Sequence, residues 1–93
     1  MSTQKVAPDL DPERVRIGAT LRALREKSGL RADQAANALR PPKSRSYVAN
    51  IEAGRKPLTP VLLAQFAALY DVPQVAIAKP EVISGDAPFR ATA

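Results

Sequence analysis

Prolines and glycines recur at short intervals along this chain of 93 residues and divide it into short segments. Proline lacks a backbone donor and restricts the residue before it, while a glycine after the last turn ends a helix. Each of these residues therefore limits where a helix can begin or end. The residues that divide the chain in this way are Pro12, Gly29, Pro41, Pro42, Gly54, Pro60, Pro73 and Pro80. Apolar residues recur three or four positions apart between them, which predicts an all-α, compact bundle of five short helices.

The predicted helices mostly begin at a polar cap or a proline and carry an apolar stripe. The first follows Asp11 as N-cap, has Pro12 at its first position and ends before Gly29. The predicted ranges are 12–28, 32–39, 44–53, 60–71 and a short last helix at 73–77. A domain is therefore expected over residues 11–79, between a flexible N-terminal arm at 1–10 and a flexible C-terminal tail at 80–93.

Cysteine and histidine are both absent from the sequence. The chain thus lacks thiolate ligands, the commonest neutral metal ligand and the commonest general base, and it has no glycine-rich phosphate loop. The sequence predicts no enzyme activity, no metal and no cofactor. No apolar run reaches the about 18 residues of a membrane-spanning helix, and no signal-peptide core is present. A soluble cytoplasmic protein without a membrane partner is expected.

The segment from Ser44 to Pro57 combines a short amphipathic helix with a concentration of positive charge. Val48 and Ile51 lie three residues apart and predict one buried stripe. The basic residues between positions 40 and 56 are Arg40, Lys43, Arg45, Arg55 and Lys56, against Glu52 alone, a net charge of 5 − 1 = +4. A basic excess around one amphipathic helix indicates a polyanionic partner, although a solvated basic face gives the same pattern.

The residues outside the buried stripe are of the types that contact DNA bases and phosphates in the major groove. Arg45 can pair with guanine O6 and N7, Asn50 with adenine or a phosphate, and Ala49 with a thymine methyl group. Ser44 is predicted to cap the helix and face a phosphate. Lys43, Arg55 and Lys56 are predicted to neutralise phosphates, and the Tyr47 hydroxyl is a further phosphate candidate, although packing of its ring is the favoured interpretation.

The order of these elements resembles the lambda-repressor-like family, and within it the Cro/C1-type, or XRE, helix-turn-helix regulators. The resemblance covers about Ile17 to Ile77. Its first part is Ile17-Gly18, Leu21-Arg22, Leu24-Arg25-Glu26 and Gly29-Leu30. Its second part is Ser44-Arg45-Ser46-Tyr47-Val48, Ile51-Glu52-Ala53-Gly54-Arg55-Lys56-Pro57, and the apolar residues Leu63, Phe66, Ala67, Leu69, Tyr70 and Val72.

The resemblance implies roles that the residues alone do not give. It places helix 44–53 in the major groove with Ser46 facing the bases, and it pairs Glu52 with Arg25 as a structural ion pair. It also implies a homodimer on a palindromic operator. From the sequence itself, the dimer surface is expected on the fourth helix and the short segment through Ile77, because the apolar residues Val72, Val75 and Ile77 exceed what a small monomer needs.

The chain departs from the family between the second and third helices. Four residues separate Leu39 from Ser44, where the family commonly has two, and two of the four are prolines. The family's phosphate-binding glutamine aligns with Ala32, so Gln34 does not inherit that role.

Two functions remain open from the sequence. The first is a sequence-specific double-stranded DNA-binding transcriptional regulator, expected to act as a repressor in a prokaryote or phage. The second is a protein-interaction module, such as an antitoxin or a mobile-element regulator, whose main partner is another protein. Segments 1–10 and 81–93 are the candidate partner-binding segments in that case.

Overall fold

The computed structural model describes residues 11–79 and contains five α-helices and no strand within that range. The helices are α1 (Pro12–Lys27), α2 (Ala32–Ala38), α3 (Arg45–Glu52), α4 (Pro60–Tyr70) and α5 (Gln74–Ala78). The predicted all-α class is confirmed: three of the five helices begin at the predicted residue, and the remaining helix bounds differ from the predicted ones by one residue. The predicted arm and tail lie outside the described residues.

Side-chain caps explain where three of the helices begin. The Asp11 carboxylate accepts the Glu13 N–H at 2.9 Å, the Ser44 hydroxyl accepts the Tyr47 N–H at 3.1 Å, and the Thr59 hydroxyl accepts the Leu62 N–H at 3.2 Å. Each cap satisfies a backbone donor that has no partner within its helix. These polar residues therefore set the first turns of α1, α3 and α4.

The second helix begins without an acceptor at its cap position, because Arg31 stands there. The side-chain oxygen of Gln34 instead accepts the Arg31 backbone N–H at 2.8 Å. The Gln34 amide is therefore engaged in starting α2, within the same helix.

The hydrophobic core receives side chains from all five helices and from the turn after α2. The largest fully buried side chains are Phe66, Leu21, Leu39, Ile51, Ile77 and Val48. The rings of Phe66 and Tyr70 stack with their centroids 5.9 Å apart. Burial of Val48 and Ile51 means that α3 is held to the core by one face only.

The apolar residues expected on a dimer surface lie largely in the core instead. Ile77 is fully buried, so the expectation for this residue is wrong, whereas Val72 is half-buried and packs against the core. Sequence periodicity missed this because α5 folds back and packs against α1 and α4. The large apolar side chains that are exposed on α4 and α5 are Val61, at 67% exposure, and Val75, at 38%.

Gly18 lets α1 approach the C-terminal end of α3 closely. A Cβ placed on Gly18 would overlap the Glu52 carbonyl group and come within 2.6 Å of the Ile51 carbonyl oxygen. Both contacts are with backbone atoms, which cannot rotate out of the way. The crossing of α1 and α3 therefore requires a residue without a side chain at position 18.

Burial of Tyr70 gives the domain a predicted alkaline sensitivity. Burial raises the pKa of Tyr70 from 10.0 to about 12, and its hydroxyl has no hydrogen-bond partner among the described residues. Between pH 10 and pH 12 the Tyr70 hydroxyl is ionised in the unfolded chain but still protonated in the folded domain. The contribution of Tyr70 to the free energy of unfolding is therefore complete below pH 10 and is lost as the pH rises through 12. We expect Tyr70→Phe to remove that part of the pH dependence. Urea unfolding midpoints of both proteins across this range test it, and parallel curves would contradict it.

Candidate nucleic-acid interface

The second and third helices form a helix-turn-helix pair in which α3 lies against both α2 and α1. The connection runs from Leu39 to Ser44 and contains a cis peptide bond between Arg40 and Pro41. Leu39 is buried in the core, and the Lys43 N–H donates to the Ala36 carbonyl at 3.0 Å. The long turn is therefore anchored at both ends.

The outer face of α3 carries the four side chains that the sequence proposed as base contacts. Arg45, Ser46 and Ala49 are exposed, and Asn50 is half-buried. Because residues four apart are neighbours on a helix, Arg45 lies beside Ala49 and Ser46 beside Asn50. The structure thus brings these four side chains together on one surface, opposite the buried Val48 and Ile51.

Two of the proposed phosphate contacts, Lys43 and Lys56, lie over the ring of Tyr47 at the edge of α3. This ring is half-buried against the core, with Lys43 Nζ 5.0 Å and Lys56 Nζ 5.3 Å from the ring centroid. Cations at such distances are attracted to the negative face of an aromatic ring. The ring therefore holds one lysine from before α3 and one from after it on the same side of the helix.

The other two proposed phosphate contacts flank α3. Ser44 is exposed before the helix, and its hydroxyl accepts the Tyr47 N–H, which leaves its own proton available for donation. Arg55 is exposed after the helix, and its N–H donates to the Asn50 carbonyl at 2.9 Å. Gly54 has a positive φ of 84°, and this left-handed conformation turns the chain so that Arg55 and Lys56 follow the helix directly.

Arg25 and Glu52 form a two-point ion pair between α1 and the end of α3. Arg25 Nε donates to Glu52 Oε2 at 2.8 Å, and Nη2 donates to Oε1 at 3.0 Å. The third donor, Nη1, reaches the Leu30 carbonyl at 3.0 Å. The side chains are only 13% and 8% exposed, and hydrogen bonding to Glu52 raises the pKa of Arg25. The acidic residue of α3 is therefore engaged inside the domain and leaves the outer face free of negative charge.

Two arginines that the sequence analysis did not select lie beside the same surface. A groove next to Arg45 is bordered by Arg31, and a second groove next to Arg45 and Ala49 is bordered by Arg22. Each is paired with an exposed carboxylate of its own helix region, Arg31 with Asp33 and Arg22 with Glu26, both at 3.1 Å. The Arg31 guanidinium lowers the pKa of Asp33. The charge count that began at Arg40 missed them, although Arg22 was predicted on the polar side of the first helix and Arg31 directly before the second.

The part of the chain that the structure describes contains neither a metal-binding cluster nor a membrane-spanning helix. Residues 11–79 contain no cluster of three or more acidic residues able to hold a metal ion. None of the helices α1 to α5 combines the length and apolar character needed to cross a membrane.

The fold and the exposed face of α3 define a helix-turn-helix domain. A family model described as a helix-turn-helix domain matches residues 16–79, and the chain belongs to this family. The match agrees with the resemblance to XRE-like regulators and indicates a DNA-binding regulator. Comparisons with curated proteins and with solved structures gave no match.

Proposed function

We propose that this protein is a sequence-specific regulator of transcription that inserts α3 into the major groove of double-stranded DNA. The observation that carries the proposal is the common outward-facing surface formed by the exposed Arg45, Ser46 and Ala49 with the half-buried Asn50. It combines a guanidinium, a hydroxyl, a methyl and a carboxamide group, the types that distinguish base pairs in this groove. Helix-turn-helix proteins place their second helix there.

Individual roles follow from the hydrogen-bonding capacity of each side chain. Arg45, at the first turn of α3, pairs with guanine O6 and N7, and Asn50, one turn later, pairs with adenine N6 and N7. Ala49 contacts a thymine methyl group and Ser46 donates to or accepts from either base of a pair. The readers therefore follow one another along α3.

Phosphates on either side of the groove are contacted by residues at the ends of α3. Lys43, Lys56 and Arg55 supply positive charge, and the Ser44 and Tyr47 hydroxyls supply donors. These contacts fix the position of the helix on the duplex and carry no sequence information themselves. Replacing Lys56 should weaken binding equally for all sequences and reduce the salt dependence by about one counterion.

The proposed regulator acts as a homodimer on a palindromic operator and represses transcription. A single short recognition helix contacts only a few base pairs, so two copies with half-sites about one helical turn apart supply the needed specificity. The exposed apolar side chains of Val61 and Val75 support a dimer surface on α4 and α5. Occupation of the groove excludes other proteins from the same promoter, which gives repression.

Selection of bound duplexes from a random pool tests this function directly. We expect an enriched palindrome, and we expect Arg45→Ala and Asn50→Ala each to lose about 1–3 kcal/mol of affinity for it and to relax preference at one base pair. Arg16→Ala is the matched control, because Arg16 is an exposed arginine on α1 outside the proposed interface. It should leave the selected sequence unchanged.

Salt dependence separates the proposed function from a protein-interaction module. Affinity for the selected duplex should fall linearly with salt on logarithmic axes as counterions are released. A protein that enriches no duplex, or whose Arg45→Ala and Asn50→Ala variants bind every duplex as the wild type does, is not a regulator that reads DNA with α3. The alternative, binding to another protein, would then stand.

A further inference from the structure

Two polar side-chain connections span distant parts of the described fold. The first is the ion pair of Arg25 with Glu52, and the second joins Gln65 in α4 to Arg40 in the turn before α3. All other described side-chain hydrogen bonds link residues at most five positions apart. The chain is thus fixed by a polar contact just before α3 as well as at its end.

Gln65 uses both ends of its amide on one backbone residue. The Arg40 N–H donates to Gln65 Oε1 at 2.8 Å, and Gln65 Nε2 donates to the Arg40 carbonyl oxygen at 2.9 Å. The geometry is that of a reciprocal pair of β-ladder bonds, with a side chain replacing the second strand. It fixes both the position and the orientation of the Arg40 peptide groups.

The turn needs such a contact because of its own composition. Helix-turn-helix connections commonly have about 3–4 residues, whereas here positions 39 to 44 lie between the two helices. Pro41 and Pro42 have no N–H groups, and both are exposed. Arg40 also donates from its guanidinium to the Asn37 and Leu39 carbonyls, at 2.9 and 2.8 Å. Apart from the burial of Leu39, the first half of the turn is therefore fixed by the hydrogen bonds of Arg40.

We propose that Gln65 is a positioning residue for DNA recognition: by holding Arg40 it sets the orientation in which α3 enters the major groove. This inference rests on the proposed function and adds a residue of α4 to the determinants of specificity. Gln65 lies outside the reading surface and acts through the turn. Its loss changes where Arg45 and Ser46 point relative to the phosphate contacts.

The expected signature is a loss of discrimination with little loss of folding. Leu39, Val48 and Ile51 are buried in the core and make no hydrogen bond to Gln65, so we expect the core that holds α3 to be retained in its absence. Positive charge at Lys43 and Lys56 is also unchanged, so binding to unrelated DNA is preserved. Only contacts that require exact alignment with base edges are weakened.

Gln65→Met tests the proposal, because methionine has a similar length and cannot form either hydrogen bond. The matched control is Gln74→Met on the exposed surface of α5. The measurement is the ratio of affinities for the selected operator and for an unrelated duplex, with hydrogen exchange of the Arg40 amide in the free protein. We expect the ratio to fall about tenfold or more in Gln65→Met, similar to one mismatched base pair, with faster Arg40 exchange. Gln74→Met should keep both values.

An unchanged affinity ratio together with faster Arg40 exchange overturns the proposal, because the turn is then free without effect on recognition. If Gln65→Met does not fold at the assay temperature, Gln65→Glu replaces it. A carboxylate can accept the Arg40 N–H but cannot donate to the Arg40 carbonyl. Its ratio should also fall, and an unchanged ratio overturns the proposal. Failure of the proposed function is recognised separately, since the wild-type protein would then enrich no duplex, and the positioning role would fall with it.

Discussion

Glu52→Ala is expected to lower the free energy of unfolding by about 3–5 kcal/mol, because it leaves a mostly buried guanidinium without its partner. Arg25 keeps one hydrogen bond, to the Leu30 carbonyl, after the substitution. The expected fall in Tm exceeds about 10 °C for a domain of this size. Urea unfolding with an unchanged m-value is the measurement. DNA binding should be lost as well, as a consequence of the displaced α3.

Glu26→Ala is the matched control for this prediction. It also removes a glutamate that pairs with an arginine of α1, but the Arg22 and Glu26 side chains are 65% and 57% exposed. Exposed pairs of this kind contribute about 0.3–0.5 kcal/mol. A double variant, Arg25→Met with Glu52→Met, should recover much of the stability because no charge is left buried. Equal Tm values for wild type and Glu52→Ala would show that the pair has no structural role.

Gly18→Ala is expected to lower the free energy of unfolding by about 2–3 kcal/mol, since the added methyl group overlaps the backbone of α3. Helix propensity alone gives the opposite sign, because alanine is about 1 kcal/mol better than glycine inside a helix. The sign of the change therefore decides between local propensity and packing. Thermal and urea unfolding provide the measurement.

Gly29→Ala separates overlap from backbone strain. Gly29 has a positive φ of 76°, and a Cβ built there meets no atom within 4 Å. Its replacement should cost only the strain of a left-handed conformation, about 1–2 kcal/mol. If Gly18→Ala proves more stable than the wild type, a methyl group fits between Gly18 and the Ile51 and Glu52 carbonyl groups, and α1 and α3 do not approach as closely as the structure indicates.

The number of helices and most of their ends could be predicted from local chemistry. Asp11, Ser44 and Thr59 are caps whose partners lie within three residues, and Gly29 and Gly54 end helices by their own conformation. Such signals need no knowledge of the tertiary structure. The exposed surface of α3 follows in the same way from the spacing of Val48 and Ile51.

Contacts between distant parts of the chain could not be predicted in this way. Nothing near Gln65 indicates that its amide holds Arg40, and nothing near Ile77 indicates that α5 folds back into the core. Lys43 and Lys56 were each recognised as cations, but their common position over Tyr47 depends on how the chain leaves Gly54. These features depend on tertiary packing, which periodicity within one segment does not contain.

Attachment of α3 through only one of its faces has a consequence for how such a domain can diversify. Arg45, Ser46 and Ala49 point away from the core, and exposed substitutions of this kind usually change stability by less than about 0.5 kcal/mol. The residues that attach α3 to the domain are Val48 and Ile51, which pack in the core, and Glu52, which pairs with Arg25. The chemistry displayed to the outside is thus separable from the scaffold, so a new target can be acquired by exchanging a few side chains while the architecture is inherited unchanged.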